Sequence, residues 1–126
     1  MSTLVIEGGH RIEGRIDVEG NKNAALPLMA ACLLTGEWCT LRNMPRIADV
    51  EVMARLLLDL GAEVEGIGST TLRIRCTEVT KDEPDSGLVG RLRGSVLLLG
   101  PLLARRGRAF VAPPGGDFPA DRKSVV

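Results

Sequence analysis

Sliding the sequence along itself by 71 residues superimposes its two most apolar stretches, and this offset constrains the fold more than any single segment does. Leu26 falls on Leu97, Ala31 on Leu102 and Cys32 on Leu103. Thr35-Gly36 falls on Arg106-Gly107, and the β-type stretch Trp38 to Leu41 falls on Ala109 to Ala112. Lys22 falls on Arg93, so each apolar segment begins at a basic residue. The pattern repeats while few letters do. It predicts two units of one design, and the alternative is an accidental match within one complete domain. In the first unit an amphipathic helix and a hairpin follow the turn. In the second they would begin near Ala120, but the sequence stops at Val126. The repeat thus predicts a piece of something longer, with apolar surface uncovered at its cut edge.

Local patterns supply the elements. Leu4 to Ile6, and Arg11 to Val18 with Ile12, Ile16 and Val18 on one face, read as strands. Asn23 reads as the N-cap of an almost wholly apolar helix, Ala24 to Leu34, that should be buried on all sides. Pro27 near its first turn costs little, and Gly36 ends it. After the strand Trp38 to Leu41, Asp49 reads as the cap of a second helix to Leu60, with Val50, Met53, Leu57 and Leu60 as its core stripe. Val64 and Leu72 to Cys76 read as strands across the turn 66–69. A third helix is predicted from Leu88 to Ala104, and a strand from Arg108 to Ala112. Pro113 to Asp121 is a loop rich in Pro and Gly.

Sixteen basic residues balance sixteen acidic ones, and the chain has no Tyr, one Trp and two Phe. Neither a nucleic-acid partner nor a membrane surface fits that balance, so an anion site must be local. No apolar run is long enough to span a bilayer, and the N-terminus lacks a signal-peptide pattern; both predict a cytoplasmic location. Cys32, Cys39 and Cys76 match no metal-ligand spacing and read as reduced structural thiols. His10, the lone histidine, reads as structural or solvated, and no metal or cofactor is predicted.

Four places could carry chemistry. Lys22 and Asn23 stand where a helix start offers unpaired N–H groups and a partial positive charge, the elements of a phosphate or carboxylate site. A solvated lysine beside an ordinary cap explains the same letters. Arg91 and Arg93 stand near the start of the third helix, before its apolar stretch, with the same alternative. Arg105, Arg106 and Arg108 read as a solvated helix end facing its own dipole. Asp117 lies at the tip of the loop between stiffening prolines. It would be a general acid or base if the loop closes over it, and a solvated turn residue otherwise.

Three stretches in order, LVIEGGHRIEGRIDVEGNKNAALPLMAACLLTG, TLRNMPRIADVEVMARLLLDLGAEVE and RLRGSVLLLGPLLARRGRAFVAPPGGDFPADR, resemble UDP-N-acetylglucosamine 1-carboxyvinyltransferases from Met1 to about Arg122. GNKNAALP separates them from the related shikimate-pathway enolpyruvyl transferases. The resemblance implies an enzyme that transfers enolpyruvate from phosphoenolpyruvate to the 3-hydroxyl of UDP-N-acetylglucosamine, by addition and elimination, at the first committed step of peptidoglycan synthesis. It implies an α+β fold, an inverse α/β barrel built of βαβαββ repeats, with only part of one domain present. Residues 1–20 would belong to the other domain, residues 21–78 would form the first repeat and residues 79–126 part of the second. Lys22 would orient phosphoenolpyruvate, Asn23 would contact the sugar nucleotide, Arg93 would stand near the same cleft, and Arg122 would contact substrate phosphates. Asp117 and Lys22 would be the catalytic pair. Most relatives carry cysteine at the position of Asp117, the site alkylated by fosfomycin. An aspartate there implies resistance to that epoxide. The tail Lys123-Ser124-Val125-Val126 departs from the family pattern. With most of the cleft absent, the chain alone is expected to be inactive. The alternative is a non-catalytic, anion-binding or self-associating remnant.

Overall fold

The computed structural model describes residues 2–112 and the backbone of Ser124 and Val125. Asp117 and Arg122 lie outside the described residues, as does the expected loop from Pro113.

Helix α1 spans Lys22–Ala31 and runs into a 3₁₀ turn, Cys32–Leu34. Its cap is Asn21 and not Asn23. Asn21 is extended, and its side-chain oxygen accepts from the Asn23 N–H at 2.7 Å. The helix therefore starts two residues earlier, with Lys22 and Asn23 in its first turn. Pro27 is consequently its sixth residue, deeper than the first turn, and cannot supply the N–H that the Asn23 carbonyl would receive. The expectation of all-round burial is also corrected. Ala25, Leu26, Met29, Ala30, Cys32 and Leu33 are buried, yet Leu28 is 51 % and Leu34 54 % exposed. α1 packs on helix α2 (Ala48–Asp59), on the 3₁₀ segment Arg93–Leu98 and, through the Cys32–Leu34 turn, on helix α4 (Leu99–Arg106). No described element covers its remaining face.

α2 buries Val50, Met53 and Leu57 as the stripe predicts. Asp49 is not its cap. Ile47 holds that position without a side-chain bond, and Asp49 lies in the first turn. At the other end the Gly61 N–H donates to the Leu58 carbonyl at 3.1 Å and the Ala62 N–H to Leu57 at 2.9 Å. This is a Schellman closure, with Gly61 at φ 107°.

Strands β1 (Cys39–Leu41), β2 (Glu63–Glu65) and β3 (Leu72–Arg75) form an antiparallel sheet in the order β1-β3-β2. Leu72 and Ile74 point into the core. On the other face Arg73 and Arg75 pair with Glu65 and Glu63 at 3.0 and 2.5 Å, and lie 4.5 and 4.6 Å from the Trp38 ring.

The single helix expected from Leu88 to Ala104 is three pieces: α3 (Ser86–Val89), the 3₁₀ segment and α4. Leu92 is extended between the first two, which drives its side chain into the core. Burial there outweighs helical continuity. Arg105 and Arg106 are not a solvated helix end. The Arg105 guanidinium donates to the carbonyls of Leu33, Cys76 and Thr77 at 2.6, 3.1 and 2.9 Å. It ties the end of the first helical unit to the end of β3. Arg106 donates to Asp82 at 2.7 Å, and Arg108 stands 3.7 Å from the same carboxylate. Strand β4 (Phe110–Val111) pairs with β5 (Ser124–Val125).

Residues 2–19 form no strand. Ile12 and Ile16 are more than nine-tenths exposed. The alternation is present, but a strand needs a neighbouring edge to satisfy its backbone, and no described strand runs alongside it.

Gly61 combines a left-handed backbone with crowding: a Cβ there would lie 2.7 Å from the Glu78 carbonyl oxygen. Gly61→Ala should lower stability by about 1–3 kcal/mol, read from the urea midpoint at constant slope. An unchanged midpoint would show that the α2 terminus tolerates a side chain.

Candidate functional site

The start of α1 exposes Lys22 and Asn23, while the N–H groups of Asn23, Ala24 and Ala25 donate to the Asn21 side chain and carbonyl. Because α1 packs on α2 and on residues 93–98, two further segment starts stand beside it: the first turn of α2 with Asp49, and Arg93 at the head of the 3₁₀ segment. The approach is close. A Cβ on Gly94 would lie 3.0 Å from Leu26 Cδ1 of α1.

Between these starts lies a cleft of about 580 Å³. Lys22, Asn23, Asp49, Arg91 and Arg93 supply its polar wall, and Leu26, Pro27 and Leu97 its apolar one. Among the described lining residues three cations stand with one carboxylate, a net positive wall. Lys22 Nζ stands 3.3 Å from Asp49 Oδ2. A second hollow of about 450 Å³ adjoins on the other side of Lys22, with Glu19, Asn43, Arg46 and Thr70 in its wall. Gly20 is needed at its rim, since a Cβ there would overlap the Asn43 carbonyl oxygen.

Lys22, Asn23 and Arg93, selected from the sequence, therefore line one cleft, and Arg91 joins them. Asp117 and Arg122 cannot be placed relative to it. Asp49 was missed as a cleft residue. Its position four residues after Pro45 reads as a cap, and only the docking of α2 on α1 turns it toward Lys22. Asn21 was missed as the cap, although an asparagine two residues before Asn23 carried that signal.

This wall can bind and orient an anion. The buried thiols Cys32 and Cys76 suit no attack on a substrate. Burial, reinforced by neighbouring Cys39, pushes Cys32 up to about 12. Burial also raises Cys76, against the opposing influence of Arg105 and a backbone bond from Glu78. Lys81 is held above its usual range by its hydrogen bond to Asp59, away from the cleft. His10 lies 3.8 Å from Glu7 on the exposed arm. Among the described residues no group of three His, Cys, Asp or Glu could hold a metal ion.

Comparison with known proteins follows this geometry. The sequence pattern of the EPSP synthase (3-phosphoshikimate 1-carboxyvinyltransferase) family matches residues 6–122. The chain is 45 % identical over 119 residues to UDP-N-acetylglucosamine 1-carboxyvinyltransferase of Bradyrhizobium diazoefficiens, covering 94 % of this chain and 28 % of that protein. It is 48 % identical over 118 residues to the protein of that name from Gluconacetobacter diazotrophicus, covering 92 % and 28 %. It is 44 % identical over 123 residues to that of Borreliella burgdorferi, covering 98 % and 29 %. The chain thus spans less than a third of the length of these relatives. The crystal structure of the enolpyruvyl transferase NikO from Streptomyces tendae superimposes with a TM-score of 0.71 at 27 % identity, covering 83 % of this chain and 24 % of that one. The fold is accordingly part of an α+β enolpyruvyl-transferase domain, and the chain belongs to the EPSP synthase (3-phosphoshikimate 1-carboxyvinyltransferase) family.

Proposed function

We propose that this chain carries the anion-binding part of a UDP-N-acetylglucosamine 1-carboxyvinyltransferase. In the whole enzyme the 3-hydroxyl of the sugar nucleotide adds to phosphoenolpyruvate, and phosphate then leaves from the tetrahedral intermediate. One observation carries the reading: Lys22, Asn23 and Arg93 line a single cleft with net positive charge. Lys22 and Arg93 would hold the phosphate and carboxylate of phosphoenolpyruvate, where their charge opposes the charge of the departing phosphate. Asn23 would contact the sugar nucleotide, and its place in the first turn of α1 suits that role. Asp117 would move the proton, and Arg122 would grip substrate phosphate. Both assignments rest on the sequence resemblance. The reaction belongs to the cytoplasmic stage of peptidoglycan synthesis, on which cell shape and division depend.

The division into repeats has support in the elements. The two helical segments begin at Lys22 and Arg93 and lead into strands beginning at Cys39 and Phe110, as the offset of the sequence requires. The exposed arm 2–19 suits a segment that pairs with a domain beyond this chain.

A cleft with one wall missing cannot be preorganised for charge development. The chain alone should give negligible phosphate release from phosphoenolpyruvate and UDP-N-acetylglucosamine. Calorimetry should nonetheless detect weak phosphoenolpyruvate binding that Lys22→Ala weakens further. Turnover near that of a full-length enzyme, or binding indifferent to Lys22, overturns this reading.

Asp117 bears on inhibition. A carboxylate attacks an epoxide far more slowly than a thiolate does. A full-length enzyme with this segment should keep its activity in fosfomycin, and Asp117→Cys should restore time-dependent inactivation. A covalent adduct on Asp117 in the intact mass would reverse the conclusion.

The exposed apolar side chains Leu28, Leu34, Val96 and Leu97 favour a second reading, self-association of this chain. Light scattering should then show a mass that grows with concentration. A constant monomer mass rules it out.

A further inference from the structure

Asp49 is a cleft carboxylate to which the proposed reaction gives no role. Its carboxylate lies in the first turn of α2, where the free N–H groups of that helix start favour negative charge. It also stands 3.3 Å from Lys22 Nζ, on the wall of the cleft itself. A carboxylate in an anion site works against the ligand twice. It repels the incoming charge, and it occupies the cation that the ligand needs.

The pair is poised for exchange. The Lys22 and Asp49 side chains are 51 % and 36 % exposed, so water screens their attraction and either can be released cheaply. Three cations against one carboxylate still leave the cleft attractive to a doubly charged phosphate. The geometry points to Asp49 as a built-in competitor for Lys22. It holds the ammonium at the cleft when no ligand is present, yields it to an incoming phosphate group, and reclaims it as phosphate leaves. Asp49 thereby keeps the grip on phosphate weak and favours its release. This inference rests on the reading of the cleft as a phosphate site.

The test titrates inorganic phosphate into this chain, followed by amide shifts of α1 at fixed ionic strength. Five proteins are compared: the unchanged chain, Asp49→Asn, Asp49→Ser, Lys22→Ala and the Lys22→Ala/Asp49→Asn double variant. Asp49→Asn should tighten phosphate binding about two- to ten-fold, the size expected for an exposed pair plus its lost repulsion. Added salt should shrink that gain. Lys22→Ala should weaken binding, and in its background Asp49→Asn should gain little, because the competition acts through Lys22. Asp49→Ser, also a small polar group in the first turn, should match Asp49→Asn and guards against a fold defect in either one. Weaker or unchanged binding by Asp49→Asn and Asp49→Ser, with Lys22→Ala still weakening it, overturns this inference and leaves the phosphate site standing. An equal gain with and without Lys22 reduces Asp49 to a distant repulsive charge and also overturns it. Absence of phosphate binding in all variants sinks the phosphate-site reading, and this inference with it.

Discussion

The cleft depends on how closely residues 93–98 approach α1. Gly94 lies so near Leu26 that a side chain would press on it, and Leu26 and Leu98, one from each segment, are both buried. Apolar burial fixes the distance between the two segments, because moving them apart would open a void in a close-packed core. Lys22 and Arg93 stand at the heads of these segments and are carried to one cleft by that packing. The charges did not choose the arrangement. The core did, and the charges use it.

Arg105 secures the same arrangement from the far end. Its three bonds reach the carbonyls of Leu33, Cys76 and Thr77, where a helical turn and a strand both end. Those carbonyls have exhausted their own elements and need donors. One guanidinium supplies three, in a planar fork that a lysine could not reproduce. Asp82 plays a matching part for Arg106 and Arg108. The basic cluster after the apolar segment is therefore architectural, while Lys22 at the head of one segment and Arg91 and Arg93 at the head of the other line the cleft.

Much of this was legible in the letters. The stripe Val50, Met53, Leu57 faces inward as its spacing requires, and Gly61 and Gly107 end α2 and α4 with a left-handed backbone, whereas Gly36 after α1 does not turn left-handed. Lys22, Asn23 and Arg93 were visible as residues at segment starts. What was not legible has a common cause. The third helix looked continuous because its composition is apolar throughout, but burying Leu92 breaks it. α1 looked fully buried because nearly every residue in it is apolar, but a described partner exists on one side only. The arm 2–19 alternates like a strand but has no edge to join among the described residues.

From the sequence alone follow α2, the strands β1 to β4 and their order, the 71-residue recurrence and the family, because periodicity and turn chemistry act over a few residues. Only the tertiary structure decided that Asp49 faces Lys22, that Arg105 is a tie and not a solvated end, and that Arg91 shares the cleft. Each of these depends on which distant surfaces meet. That is set by the shape and volume of a shared core, a property of many side chains together that no local pattern of residues encodes.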